Sequence, residues 1–227
     1  MKLGMMNFPA ANIFNEIEWA AKKGFDYIDL SLEPPQAYID ILNPEEIKSA
    51  LKKNKLEVVG HTAYYFPIGS PITALRNISV KEIIACIEFF QKVGAEKVNI
   101  HPDFNQPAFF SETDAIKFNT ESLTKIVNAA EKIGLTVMLE NADSCIPDLE
   151  KIFLAVGQLK FHFDLGHANL MPGECNAEKM LNRFLDRLIH VHLSDNKGGY
   201  NDLHIPLGTG NVNWEDAVGL LKRIGYN

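Results

Sequence analysis

Short apolar runs, several rich in β-branched and aromatic residues, alternate along this chain with longer amphipathic stretches. The runs Lys2–Met6, Asp26–Ser31, Leu56–His61, Lys97–His101, Leu135–Glu140, Leu159–Asp164 and Leu188–Leu193 have the length and composition of strands. Amphipathic segments predict helices over Asn12–Lys23, Pro44–Asn54, Ser79–Val93, Thr113–Ile133, Pro147–Val156, Ala177–Arg187 and Trp214–Ile224. Gly24, Gly94, Gly134 and Gly225 stand where a left-handed residue ends a helix. Asn43-Pro44 marks a helix start, and Ser111-x-x-Asp114 supplies part of a capping signal. Strict strand–helix alternation predicts parallel strands joined by helical crossovers.

Two architectures use that alternation, an open doubly wound sheet and a closed barrel. No Gly-x-Gly-x-x-Gly follows the first strand and no Gly-Lys-Ser/Thr occurs, so the marks of nucleotide-binding open sheets are missing. Metal-competent side chains instead end the third through seventh strands, and a closed ring points such positions at one centre. The expected fold is α/β, a (β/α)8 TIM barrel forming a single domain over residues 1–227, close to the roughly 250 residues usual for that fold. Its eighth strand would begin where the chain stops, at Gly225-Tyr226-Asn227. Seven strands would leave an edge of unpaired backbone groups, so either another segment closes the ring or, as expected here, the barrel is C-terminally truncated.

Composition narrows the class only slightly. The net charge of −7 gives no global positive field for nucleic acid. Cys86, Cys145 and Cys175 are widely spaced, form no Cys-x-x-Cys pair, and fit reduced thiols in a cytoplasmic protein. No apolar run approaches the ~20 residues that span a bilayer, so no membrane partner is expected.

The strand ends carry the chemistry. Strand three closes on His61-Thr62-Ala63-Tyr64 and strand four on His101-Pro102-Asp103. Strand five closes on Glu140-Asn141, strand six on Asp164-Leu165-Gly166-His167, and strand seven on His192-Leu193-Ser194-Asp195. The following loop holds Asp202-Leu203-His204 and Leu207-Gly208-Thr209-Gly210. Imidazole with carboxylate suits zinc or manganese, accommodates magnesium or cobalt, and lacks the thiolates of soft-metal sites. Five consecutive strands ending this way predict a shared divalent-metal site. Side chains two apart share a strand face, which puts His162 under Asp164 and His190 under His192 as interior histidines. Asp195 reads as a near-surface carboxylate that orients His192 or caps a turn. Asp103 and Asp143 read as solvated or supporting loop carboxylates. Tyr64-Tyr65-Phe66 and Phe109-Phe110 read as a stacking surface, a lid or plain loop packing. Lys197-Gly198-Gly199 reads as a glycine turn before a phosphate grip.

At Glu140-Asn141, Asp164-x-x-His167 and the stretch from His192 to Gly210, the sequence resembles the xylose-isomerase-like TIM-barrel superfamily, from the first strand to Asn227. That superfamily joins sugar isomerases and epimerases to endonuclease IV, an abasic-site endonuclease. Resemblance to the epimerase branch implies a metal on Glu140, Asp164 and His192, with a fourth ligand beyond Asn227. It also implies His167 on a substrate oxygen and Glu140 moving a proton. Resemblance to endonuclease IV implies a multinuclear site on His61, His101, Glu140, Asp164, His167, His192, Asp202 and His204.

The loop Ser31-Leu32-Glu33-Pro34-Pro35-Gln36 is short and acidic where the nuclease branch has long basic loops, and phosphate contacts dominate DNA affinity. The resulting expectation is a divalent-metal-dependent sugar or sugar-phosphate isomerase or epimerase. Glu140 and His167 are its catalytic residues, and His61, Tyr64, His101 and His204 contact substrate. An endonuclease IV-like zinc phosphodiesterase acting on nucleic acid is the alternative, and a non-catalytic metal-binding barrel the third. A homodimer is compatible with the sequence.

Overall fold

A computed structural model describes residues 1–142, 144–170, 176–199 and 201–226. Asp143 and Cys175 therefore lie outside the described residues. The chain divides into two compact units, Met1–Val137 and Met138–Asn227.

In the first unit, β1 (Gly4–Met6), β2 (Tyr27–Leu32), β3 (Glu57–Thr62) and β4 (Lys97–Ile100) pair in chain order and in parallel, with Gly4 beside Tyr27, Leu30 beside Gly60 and Gly60 beside Val98. The crossovers are α1 (Ile13–Lys23), α2 (Pro44–Asn54) and α3 (Thr73–Val93), and α4 (Glu112–Glu131) follows β4. Their buried faces, Ile13-Ile17-Ala20, Ile47-Leu51, Ile83-Ile87-Phe90 and Leu123-Ile126-Val127, keep the helical spacing read in the sequence.

The helix ends follow local chemistry. The Asn12 and Asn43 side chains accept from the first free N–H groups of α1 and α2, and Gly24 (φ 84°) closes α1. Ser111 and Asp114 form a complete reciprocal cap, because the shorter Asp still reaches back to the Ser111 N–H at 3.1 Å. α3 starts at Thr73, six residues before the predicted Ser79. Ser79 is buried inside the helix, where its hydroxyl donates to the Leu75 carbonyl, so it is no cap.

In the second unit β5 (Thr136–Glu140, which begins at the end of the first unit), β6 (Lys160–Asp164) and β7 (Leu188–His192) are again parallel. Glu140 lies beside His162, and Asp164 beside His192. α5 (Ile146–Ala155), α7 (Ala177–Phe184) and α8 (Trp214–Arg223) match predicted helices, while α6 (Leu165–Leu170) was not predicted. Phe153, Phe161, Phe163 and Phe184 form the aromatic core, with Phe153–Phe184 and Phe161–Phe184 centroids 5.1 and 5.2 Å apart. Cys86 is a buried free thiol, but Cys145 is disulfide-bonded, against the expectation of reduced thiols throughout. No helix among the described residues is long and apolar enough to cross a membrane.

Gly60 shows how tightly β3 is packed. A Cβ there would stand 2.7 Å from the Phe90 ring. We expect Gly60→Ala to destabilise the protein by about 1–3 kcal/mol through overpacking. An unchanged midpoint in urea unfolding would show that Phe90 yields freely.

Candidate metal centre

Parallel register and side-chain alternation bring the second unit's acids and imidazoles together. Glu140 ends β5, Asp164 ends β6 and His192 ends β7, and both carboxylates are 1% exposed. The Glu140 Oε1 lies 3.2 Å from His167 Nδ1, and its Oε2 lies 3.4 Å from His162 Nδ1. Asp164 Oδ2 faces His192 Nδ1 at 3.9 Å. One potential ligand atom from each of Glu140, Asp164 and His167 falls within 4.8 Å of the others.

Local chemistry fixes each group. Asn141 accepts from the Asp164 N–H at 2.6 Å and donates to the Asp164 carbonyl at 2.9 Å, which pins the end of β6. Asp164 Oδ1 then accepts from the His167 N–H (2.9 Å) and the Ser194 hydroxyl (3.1 Å). Asp-x-x-His is thus an N-cap for the short helix α6, and the cap bond leaves Oδ2 turned toward His192. The signal for α6 was in the sequence as that Asp, read only as a ligand. Gly166 is required by close approach, since a Cβ would meet Ser194 Oγ at 1.9 Å.

A second group adjoins the first. Asp202 Oδ2 contacts His167 Nε2 at 3.1 Å and His204 Nε2 at 2.6 Å, so a continuous chain runs Glu140–His167–Asp202–His204. Burial opposes charge on His167, but the Asp164 charge and the contacts to Asp202 and Glu140 outweigh it and push its pKa up to about 12. Burial likewise works against the Asp202 charge. Its contacts to His167 and His204 win and hold the carboxyl well below its usual range. Contact with Asp202 in turn raises His204.

His162 and His190 are buried beneath His192, with ring centroids 4.0 and 5.3 Å from it, as interior histidines should be. Asp195 departs from its expected place. It is fully buried, and its carboxylate accepts from the Gly208 and Gly210 N–H groups and the Trp214 indole. It is not near the surface, and it serves the turn that follows β7. Desolvation opposes its charge, but these donors, Gly210 and Trp214 foremost, hold its pKa low.

The first unit gathers its own candidates. His61 and His101 are buried with ring centroids 4.9 Å apart, and the exposed Tyr64 stands edge-on to His101 at 6.4 Å. Asp29, which sequence reasoning passed over, is buried with Oδ1 3.5 Å from His61 Nδ1. Its signal was a single acid in the otherwise uncharged run Tyr27–Leu32. Asp103 accepts from the Gly69 and Asn105 N–H groups at 3.0 and 3.1 Å and so ties two loops together. Phe110 packs edge-on against Phe118 while Phe109 stays exposed. Lys197-Gly198-Gly199 is a turn with both glycines at positive φ.

Comparison with known proteins decides the lineage. A family model described as "Xylose isomerase-like TIM barrel" matches residues 17–227. The chain belongs to that family. Its fold class is accordingly that of the xylose isomerase-like TIM barrels. Uncharacterized protein MJ1311 of Methanocaldococcus jannaschii is 26% identical over all of this chain and 81% of that protein. "Probable endonuclease 4" of Aquifex aeolicus is 26% identical over 94% of this chain and 84% of that protein. A crystal structure titled "D-tagatose 3-epimerase-like protein" superposes with a TM-score of 0.88, at 26% identity, over 100% of this chain and 88% of that one. Epimerase and endonuclease names therefore both occur among the relatives of this xylose isomerase-like chain.

The donor set of the second unit, carboxylates with imidazoles and no thiolate, fits a hard or borderline divalent cation. A cation there would neutralise the carboxylates that hold the His167 proton. At pH 8 its binding should release about one proton per chain, and affinity should rise with pH. Calorimetric titration in two buffers of different ionisation enthalpy measures this. Equal heats in both would contradict it.

Proposed function

We propose that this chain is a divalent-metal-dependent sugar or sugar-phosphate isomerase or epimerase. Glu140, Asp164 and His192 would hold the cation, with zinc or manganese favoured and magnesium or cobalt accommodated by the same donors. The bound cation supplies Lewis-acid polarisation of a substrate oxygen. Glu140 takes the proton from a substrate carbon or returns it, and burial helps keep water from competing for that proton. His167, whose two ring nitrogens face Glu140 and Asp202, would exchange one of those carboxylates for a substrate oxygen, and His204 would contact substrate beside it. In the first unit, His61, His101 and Tyr64 are assigned as substrate-contacting groups.

The observation that carries this reading is the charge of the loops. Of the 22 lysines and arginines, Lys197 alone lies in the segments that lead out of the strands, residues 7–12, 33–43, 63–72, 101–111, 141–145 and 193–213. The same segments carry Glu33, Asp40, Asp103, Asp143, Asp195 and Asp202. A polyanion needs many cationic contacts along its backbone, and each one contributes to affinity. A small polyol needs none. That balance favours a sugar over DNA.

One observation favours a second reading. His167, Asp202 and His204 offer a further set of ligand atoms within 4.8 Å of one another, which is more than one cation requires. A multinuclear phosphodiesterase related to endonuclease IV would use them.

Metal analysis with paired assays separates the two. The primary reading predicts about one tightly held cation per chain and ketose interconversion without abasic-DNA cleavage. About three zinc ions with strand cleavage would replace it by the second. Glu140→Gln should lower turnover by at least about 100-fold, the scale of a lost general base. Full activity in that variant would remove Glu140 from the chemistry.

A further inference from the structure

The segment from Asn196 to Asn213 brings Asp202 and His204 to His167, yet it contains no helix or strand among its described residues. It includes Gly198, Gly199, Gly208 and Gly210, so ordering it costs more backbone entropy than an average loop would. His204 holds a left-handed backbone, φ 44°, which a non-glycine residue rarely adopts. Something must over-determine this path.

The buried Asp195 carboxylate collects five donors. They are the N–H groups of Asn196 (2.9 Å), Gly208 (2.8 Å), Gly210 (3.0 Å) and Val212 (3.4 Å), and the Trp214 indole (3.1 Å). Its own carbonyl accepts from the Ile205 N–H at 2.9 Å, one residue past His204. The outgoing and returning arms of the loop are therefore tied to one residue. Asn196 ties them again, accepting from the Asn211 N–H at 2.8 Å and donating to the Gly166 carbonyl at 2.8 Å, one residue from His167.

We infer that Asp195 is the positioning residue that sets Asp202 and His204 against His167, acting through the loop and not by touching substrate. An asparagine there would keep one acceptor oxygen and turn an NH2 group onto N–H donors, so part of the network would be lost. Gly210→Ala attacks the same knot from the other side, because its Cβ would lie 2.1 Å from the Asn196 carbonyl and 2.2 Å from Asp195 Oδ1. The inference rests on the proposed role of the His167 group.

The test compares the full chain with Asp195→Asn, Gly210→Ala and the milder Trp214→Phe, which deletes a single donor. Amide exchange over residues 201–212 and the ring-nitrogen resonances of His167 and His204 read position. Steady-state kinetics on the responsive ketose read consequence. We expect faster exchange and altered His167 and His204 resonances in all three, least in Trp214→Phe. We also expect kcat to fall about 10- to 100-fold in the first two, as for lost supporting hydrogen bonds at a metal site, with KM nearly unchanged. Wild-type exchange and wild-type ring signals in folded Asp195→Asn would overturn the inference. If that variant does not fold, unchanged signals in both Gly210→Ala and Trp214→Phe would overturn it. Should the loop respond while no sugar is turned over even by the wild type, the positioning role stands and the epimerase reading falls.

Discussion

Two carboxylates, Glu140 and Asp164, are buried at the ends of adjoining parallel strands, and the rest of the second unit is arranged around that cost. Taking one ionised carboxylate out of water is expensive, and two near each other are worse unless positive charge or hydrogen-bond donors compensate. Here the compensation is visible on every side. His162 and His167 flank Glu140, while Ser194, the His167 N–H and His192 face Asp164. The raised His167 pKa has the same origin, because the negative field of these carboxylates outweighs burial and retains a proton on the ring.

The same constraint explains why so much of the local structure is polar yet ordered. Asn141 is spent on the backbone of Asp164, and Asp164 caps α6 with one oxygen while offering the other. Fixed partners for each supporting atom leave few rotamers to the groups that matter, which is what a site must have if binding is not to be offset by ordering. The loop after β7 extends that logic outward through Asp195, a carboxylate committed wholly to backbone and indole donors.

Much of the fold was legible because strand and helix leave different periodicities, and the seven strand assignments each overlap an observed strand. The ligand positions were legible because each interrupts an apolar run at its end. What escaped is what depends on partners distant in sequence. Asp29 has meaning only beside His61, thirty-two positions later, and Asp195 only beside Gly208, Gly210 and Trp214. The early start of α3 was hidden because its N-cap, Ile72, makes no side-chain cap bond and so leaves no capping signal in the sequence. Lys55 ends α2 at φ 57° with no glycine to announce it.

Family membership and a set of convergent donors leave the choice of substrate to the loops that follow the strands, and those loops are poor in cations. The proposed function requires a divalent ion among Glu140, Asp164 and His192. Anomalous diffraction from crystals of the manganese-loaded chain addresses it directly. A strong peak bounded by those three side chains is expected. A peak elsewhere, or none at saturating metal, would contradict it.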